Sequence, residues 1–132
     1  MGEPKKLKLM VVDDEPGIVD FVKKIYSRKG FITLGVSDGQ SAVEVFKLER
    51  PHISLIDIHM PFSAIDGVET LRRIKEIDDN ALCIMVTRVS DKDKIESARQ
   101  LKAFAYLLKP MNLEELDSAI TLAKTAAGWE GN

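Results

Sequence analysis

Four short apolar segments of this chain each lead directly into a polar residue. The most regular one runs from Ile53 to Ile56 and is closed by Asp57. The other three lead into Asp13-Asp14, Thr87 and Lys109-Pro110, and they span Leu9 to Val12, Leu82 to Val86 and Ala105 to Leu108. Apolar runs of this length are typical of strands in a parallel sheet whose two faces are covered by helices. Because ligands bind at the carboxyl edge of such sheets, the four polar ends predict one common site.

Amphipathic segments separate the strands, so that strand and helix alternate five times. Pro16 is typical of the first turn of a helix, with Asp14 as a possible cap, and Gly30 is typical of its end. A strand at Phe31–Val36 contains a glycine, which favours a place near the sheet edge. Asn112 is expected to cap the last helix. We therefore expect a doubly wound, flavodoxin-like α/β fold, with a five-stranded parallel sheet in the order 2-1-3-4-5 and five helices on two faces, two on one and three on the other.

Length and charge indicate one ordinary globular domain. We expect residues 1–132 to form a single domain with a core of about 6–127. The 19 basic and 21 acidic residues give a net charge of −2, so nothing favours binding to nucleic acid or to an anionic membrane. No signal peptide and no membrane-spanning segment is predicted, and a cytoplasmic location is expected.

The acids at the ends of two strands predict a divalent-cation site. If the first and third strands are neighbours, Asp13, Asp14 and Asp57 converge. Two carboxylates about 4 Å apart repel by roughly 4 kcal/mol at an effective dielectric near 20, so positive charge is expected beside them. Lys109 supplies one such charge. Oxygen ligands of this kind also suit Mg²⁺ or Mn²⁺.

The same residues, in this order, resemble the receiver domain of two-component response regulators, in particular the single-domain, chemotaxis-regulator-like kind. The resemblance covers about residues 6–127 and rests on the residues at the strand ends and on the run before the lysine, namely Asp13-Asp14, Asp57 with Met60-Pro61, Thr87, Ala103, Tyr106, Leu107 and Lys109-Pro110. Each of these motifs alone is common in proteins. Their occurrence together, in this order on five strand–helix units, is specific to receiver domains.

The resemblance implies a phosphoryl-transfer role for the acidic residues. Asp57 would be the phosphoacceptor, taking its phosphoryl group from a phosphohistidine on a histidine kinase or phosphotransfer protein. Mg²⁺ would be bound by Asp14, Asp57 and the backbone carbonyl of His59, with Asp13 acting through a water molecule. Lys109 would pair with a phosphoryl oxygen. Such a protein catalyses its own phosphorylation and slow dephosphorylation and is not an enzyme in the usual sense.

The resemblance also implies a switch. Thr87 would hydrogen-bond a second phosphoryl oxygen, and its movement would let Tyr106 turn inward. This change would reshape the surface of helix four, strand five and helix five, which would bind a downstream protein. The bond before Pro110 would be cis, which X-Pro bonds tolerate.

This chain departs from the family pattern at several positions. Four residues, 62–65, separate Met-Pro from Asp-Gly where the family usually has two; the longer loop either contacts a partner or packs onto the third helix. Arg88 stands where the family has a small residue, and we expect it to crowd the entrance or to add a second cation. His59 and Val89 occupy positions that influence how water reaches the phosphoryl group. Lys102 replaces a frequent glycine.

Two other functions remain open on the sequence alone. The first is a protein-interaction module of the same fold that is not phosphorylated. The second, more remote, is a Mg²⁺-dependent phosphatase-like enzyme. That chemistry needs a second acid two residues after the nucleophile, where this chain has His59.

Overall fold

The computed structural model describes residues 6–128, apart from the side chain of Val89, and in it strands and helices alternate. The strands are β1 Lys8–Val12, β2 Ile32–Val36, β3 Ile53–Asp57, β4 Leu82–Thr87 and β5 Ala105–Leu108. The helices are α1 Pro16–Arg28, α2 Gly39–Glu49, α3 Gly67–Ile77, α4 Lys92–Gln100 and α5 Leu113–Ala126, with a 3₁₀ turn at Val89–Asp91 before α4. The outermost residues of the expected 1–132 domain lie outside the described part.

All five strands are parallel, and their order is β2-β1-β3-β4-β5. The predicted doubly wound sheet is therefore confirmed. The glycine-containing strand β2 lies at one edge, as expected, although it begins at Ile32 and not at Phe31. Because β1 and β3 are neighbours, the residues that follow them meet at the same place.

Two helix layers cover the sheet, two helices on one face and three on the other. Helices α1 and α5 pack on one face through Val22, Tyr26, Leu116, Ile120 and Ala123. Helices α2, α3 and α4 pack on the opposite face through Ala42, Phe46, Leu71, Ile74 and Ala98. Fully burying an aliphatic or aromatic side chain of this size contributes about 1.5–3 kcal/mol. None of the helices in residues 6–128 is long and apolar enough to span a membrane.

The start of α1 differs from the sequence prediction. The residue before the helix is Glu15, and no side chain caps the helix there, so the prediction of an Asp14 cap is wrong. Instead Asp13 Oδ1 accepts a hydrogen bond from the Glu15 backbone N–H at 2.9 Å, which holds the turn. Pro16 has no N–H to satisfy at this position. At the last helix, Asn112 Oδ1 accepts from two backbone N–H groups at 2.8 and 3.2 Å, as expected.

The start of α3 passes directly over the end of β3. The Gly67 N–H donates to the Ile58 carbonyl at 3.0 Å. A methyl group at Gly67 would lie 2.2 Å from the Asp57 carbonyl oxygen and 2.6 Å from the Ile58 Cα. Only glycine leaves room for this approach, so the loop 58–66 begins and ends at the same edge of the sheet.

We expect Gly67→Ala to destabilise the protein by about 2–3 kcal/mol or more, because its methyl group would collide with backbone atoms that cannot move independently. The matched control is Gly17→Ala, at a helical position in α1 with no atom within 4 Å of the new methyl group. That change should stabilise the protein by about 0.5–1 kcal/mol. Urea denaturation of both variants measures the difference, and equal stabilities would contradict the close approach.

Candidate functional site: an acidic pocket with a buried lysine

Three carboxylates lie together at the carboxyl edge of the sheet. Asp57 ends β3, and Asp13 and Asp14 follow the adjacent strand β1. One oxygen of each carboxylate lies within 4.8 Å of the others. Asp13 and Asp57 are only 3% and 1% exposed, so water screens their charges poorly. The structure thus brings together the three acids that the sequence placed at one site.

Lys109 extends from the end of β5 into this acidic cluster. Its Nζ lies 3.1 Å from Asp57 Oδ2, 3.2 Å from Asp13 Oδ2 and 3.2 Å from Glu15 Oε1. The Lys109–Pro110 peptide bond is cis, the isomer that the resemblance implies. Glu15 was not among the predicted partners of Lys109; its place directly after the aspartate pair is the sequence signal that indicates it.

Burial has the largest single effect on the pKa values of Asp57 and Lys109. Burial raises the pKa of the Asp57 carboxyl from 3.8 to about 6, and the charge of Asp13 acts in the same direction, while Lys109 opposes the rise. Burial alone would lower the pKa of the Lys109 ammonium, but its contacts with Asp57 and Asp13 outweigh burial and raise it. Both pKa values can rise together, because Lys109 is stabilised by several carboxylates at once. Asp57 shares that one ammonium with Asp13 and Glu15, so the ammonium does not offset the burial of Asp57. The pocket retains an excess of negative charge.

The donor atoms fit a hard divalent cation. Asp14 Oδ2 is buried and has no hydrogen-bond partner. An ionised oxygen in that state is costly unless a cation or a donor satisfies it. Three carboxylates that converge within 4.8 Å offer the oxygen ligands that Mg²⁺ prefers. The residues present therefore satisfy the requirements of a magnesium site.

The other residues predicted to act beside Asp57 differ in their exposure and in their hydrogen-bond partners. The His59 backbone N–H donates to Asp57 Oδ1 at 3.2 Å, and the His59 side chain is partly buried. Thr87 is buried at the end of β4, but its hydroxyl donates to the Arg88 carbonyl at 3.2 Å. The Arg88 side chain is exposed, and no ion pair within residues 6–128 involves it. Val89 opens the 3₁₀ turn, and its side chain lies outside the described part.

Tyr106 lies on β5 beside the strand that ends at Thr87. It is partly buried against the core cluster on the α2–α3–α4 face, and burial raises the pKa of its hydroxyl. In the sheet register Tyr106 stands opposite Met85, two residues before Thr87. Lys102, in the turn before β5, has a left-handed backbone conformation with φ of 63°, which accounts for the glycine frequent at this position in the resemblance.

The longer loop is anchored on α2. Ser63 Oγ accepts from the Gly39 N–H at 2.9 Å and donates to the Ile65 carbonyl at 2.6 Å. A methyl group at Gly39 would lie 2.6 Å from Ile65 Cγ1, so Ile65 packs closely over the first residue of α2. Phe62, in contrast, is 94% exposed. The loop thus packs on the first residue of α2, where Thr70 of α3 also approaches Gly39, and it leaves one of its large apolar side chains in solvent.

Comparison with known proteins defines the class. The family described as the response regulator receiver domain matches residues 9–121, and the chain belongs to this family. Receiver domains accept phosphoryl groups, interact with histidine kinases or phosphotransfer proteins, and bind Mg²⁺ through clusters of acidic residues. Asp13, Asp14 and Asp57 form an acidic cluster in this chain.

Several relatives support this assignment. The sporulation initiation phosphotransferase F of Bacillus subtilis is 31% identical over 113 residues, which cover 86% of this chain and 90% of that protein. The transcriptional regulatory protein PdtaR of Mycobacterium tuberculosis is 33% identical over 119 residues, covering 88% of this chain but 56% of that protein. The chain thus spans nearly all of the first relative and about half of the second.

Solved structures agree with the fold. The receiver domain of NtrX from Brucella abortus has a TM-score of 0.80 at 28% identity, covering 87% of this chain and 96% of that domain. A CheY-like response regulator receiver domain protein from Methanospirillum hungatei has a TM-score of 0.88, covering 96% of this chain and all of that one; at 24% identity it supports the fold alone.

Without metal, the raised pKa of Asp57 predicts stability that falls as the pH rises from about 4 to about 6. In this range the folded protein still holds a proton that the unfolded chain has released, so ionisation of Asp57 destabilises the folded state. At about 1.4 kcal/mol per pKa unit the cost near pH 8 is about 3 kcal/mol, of which the amide recovers part because it binds Lys109 less strongly than a carboxylate does. Asp57→Asn should therefore raise the free energy of unfolding at pH 8 by about 1–2 kcal/mol, measured by urea denaturation in EDTA.

The matched control is Asp20→Asn, which removes an exposed carboxylate from α1 and should leave the stability unchanged. Addition of Mg²⁺ should stabilise the wild type more than Asp57→Asn. A less stable Asp57→Asn protein at pH 8 in EDTA would contradict this assignment of the cost to the buried charge.

Proposed function

We propose that Asp57 is the residue of this receiver that accepts a phosphoryl group from a phosphohistidine on a histidine kinase or phosphotransfer protein. A carboxylate oxygen of Asp57 attacks phosphorus, the phosphorus–nitrogen bond of the donor breaks, and the electron pair leaves with the histidine ring. The observation that supports this role is the position of Asp57, buried and 3.1 Å from the Lys109 ammonium within the acidic cluster.

Charge neutralisation is the main catalytic contribution of the pocket. Asp14, Asp57 and the backbone carbonyl of His59 would hold Mg²⁺, with Asp13 as a less direct contributor. Bound Mg²⁺ supplies positive charge next to the phosphoryl oxygens. Lys109, already among the carboxylates, is positioned to pair with a phosphoryl oxygen once the charge of Asp57 is consumed in the acyl phosphate.

The signal would reach the surface through Thr87 and Tyr106. Thr87 exchanges its hydrogen bond with the Arg88 carbonyl for one with a phosphoryl oxygen, and the space it leaves lets Tyr106 turn inward. The surface formed by α4, β5 and α5 then changes shape and binds a downstream protein, a two-state switch biased by local charge. Slow hydrolysis, influenced by His59 and Val89, would end the signal.

We expect residues 1–132, with a core of about 6–127, to act as one receiver domain in the cytoplasm. The chain would react with its phosphodonor and would not turn over a separate substrate. Labelling with acetyl phosphate distinguishes this function from the alternative, an interaction module that is not phosphorylated.

Incubation with acetyl phosphate and Mg²⁺ should add about 80 Da, the mass of one phosphoryl group, to the wild-type protein. Intact-protein mass spectrometry should show no adduct on Asp57→Asn and none on the wild type in EDTA. Asp20→Asn should be labelled like the wild type. An adduct that persists on Asp57→Asn would place the acceptor elsewhere, and a wild type without any adduct would favour the interaction module.

Arg88→Ala should accelerate labelling by acetyl phosphate. If the arginine crowds the entrance, its removal should raise the initial rate roughly three- to tenfold, equivalent to about 1 kcal/mol of barrier. Time courses by mass spectrometry provide the rate, and Arg28→Ala, which removes an exposed arginine from the last turn of α1, is the matched control. An unchanged rate would contradict crowding, and a slower rate would show that Arg88 acts as a second cation.

A further inference from the structure

Phe62 is the most exposed large apolar side chain that the structure describes. It is 94% exposed, compared with 82% for Leu48 and 63% for Leu122. A single exposed apolar residue is common on protein surfaces and needs no explanation by itself. The backbone around Phe62, and a loop that begins and ends beside Asp57, distinguish it from Leu48 and Leu122.

The loop that presents Phe62 is held on both sides. Ser63, the next residue, is bonded to the Gly39 N–H and to the Ile65 carbonyl, and its own N–H donates to the Met60 carbonyl at 3.1 Å. On the other side Pro61 restricts the backbone. A side chain on such a backbone loses less conformational entropy on binding than one on a free loop.

The same loop begins and ends beside Asp57, the proposed phosphoacceptor. It leaves β3 directly after Asp57 and returns at Gly67, whose Cα lies against the Asp57 carbonyl. The two extra residues of the loop thus lie at the carboxyl edge of the sheet. Since Asp57 is 1% exposed, a protein that brings phosphorus into contact with its carboxylate must press against this rim.

We infer that Phe62 is an anchor contact for the protein that donates the phosphoryl group, an inference that rests on the function proposed above. The neighbouring parts of the rim are charged: Glu15 is about half exposed, and the Arg88 side chain faces solvent. An aromatic anchor surrounded by polar groups is the composition of a binding hot spot. A small phosphodonor reaches Asp57 without covering the rim and does not need Phe62.

The test compares two kinds of donor on one set of variants. The histidine kinases of the source genome are purified and autophosphorylated with radiolabelled ATP, and the one that labels the wild type fastest is chosen. Phe62→Ala should lower kcat/KM for transfer from this kinase by about tenfold, mainly through KM. Labelling by acetyl phosphate should stay within about twofold of the wild type, because the pocket itself is unchanged.

Leu48→Ala is the matched control, since it removes another highly exposed apolar side chain, at the far end of α2, and should change neither rate. Unchanged transfer from the kinase to Phe62→Ala would overturn the inference, and so would an equal loss with both donors. A wild type labelled by acetyl phosphate but by no kinase would also overturn it while leaving the chemistry at Asp57 intact. A wild type labelled by no donor would overturn the proposed function itself.

Discussion

The contact of the Lys109 ammonium with buried carboxylates is the interaction on which the rest of the functional edge depends. Asp13 and Asp57 are almost wholly buried, and each lies within 3.2 Å of the lysine nitrogen. Without the lysine, the carboxylates of Asp13 and Asp57 would face each other in a poorly screened environment, which would lower the stability of the fold by several kcal/mol. The lysine comes from β5 and the acids from β1 and β3, so one side chain spans β4 and joins distant parts of the chain. Stability and reactivity at this edge therefore depend on the same ion contacts.

Much of the fold could be predicted because buried parallel strands leave a simple pattern in a sequence. In β1, Leu9 and Val11 belong to one core cluster and Met10 to the other, so both faces of the strand need apolar residues. The first polar residue after each run marks the carboxyl edge. Strand order then determines which of these residues meet, and for this reason the acids and Lys109 could be grouped before any coordinates were known.

The features that the sequence did not reveal are side-chain contacts between distant segments. The contact of Glu15 with Lys109 joins positions 94 residues apart, and the bond from the Gly39 N–H to Ser63 joins positions 24 residues apart. Neither produces a periodic pattern. The expected Asp14 cap failed for a related reason, because Asp13 already accepts the bond that holds the turn. A carboxylate just before the start of a helix can cap the helix, hold the preceding turn or pair with a cation, and the tertiary structure determines which of these it does.

The hydrogen bond from the Thr87 hydroxyl to the Arg88 carbonyl has a consequence for signalling energetics. In the resting form the hydroxyl proton already has an acceptor, so its rearrangement toward a new acceptor replaces one bond with another and creates no net new bond. With a phosphoryl group present, an exchange of this kind changes the free energy by only about 1 kcal/mol. Before phosphorylation no such acceptor is present, so a move of Thr87 away from the Arg88 carbonyl would leave a buried hydroxyl unpaired, at a cost of about 1–3 kcal/mol. The unmodified protein would then hold the other form only as a minor population, which a downstream protein that prefers it could increase.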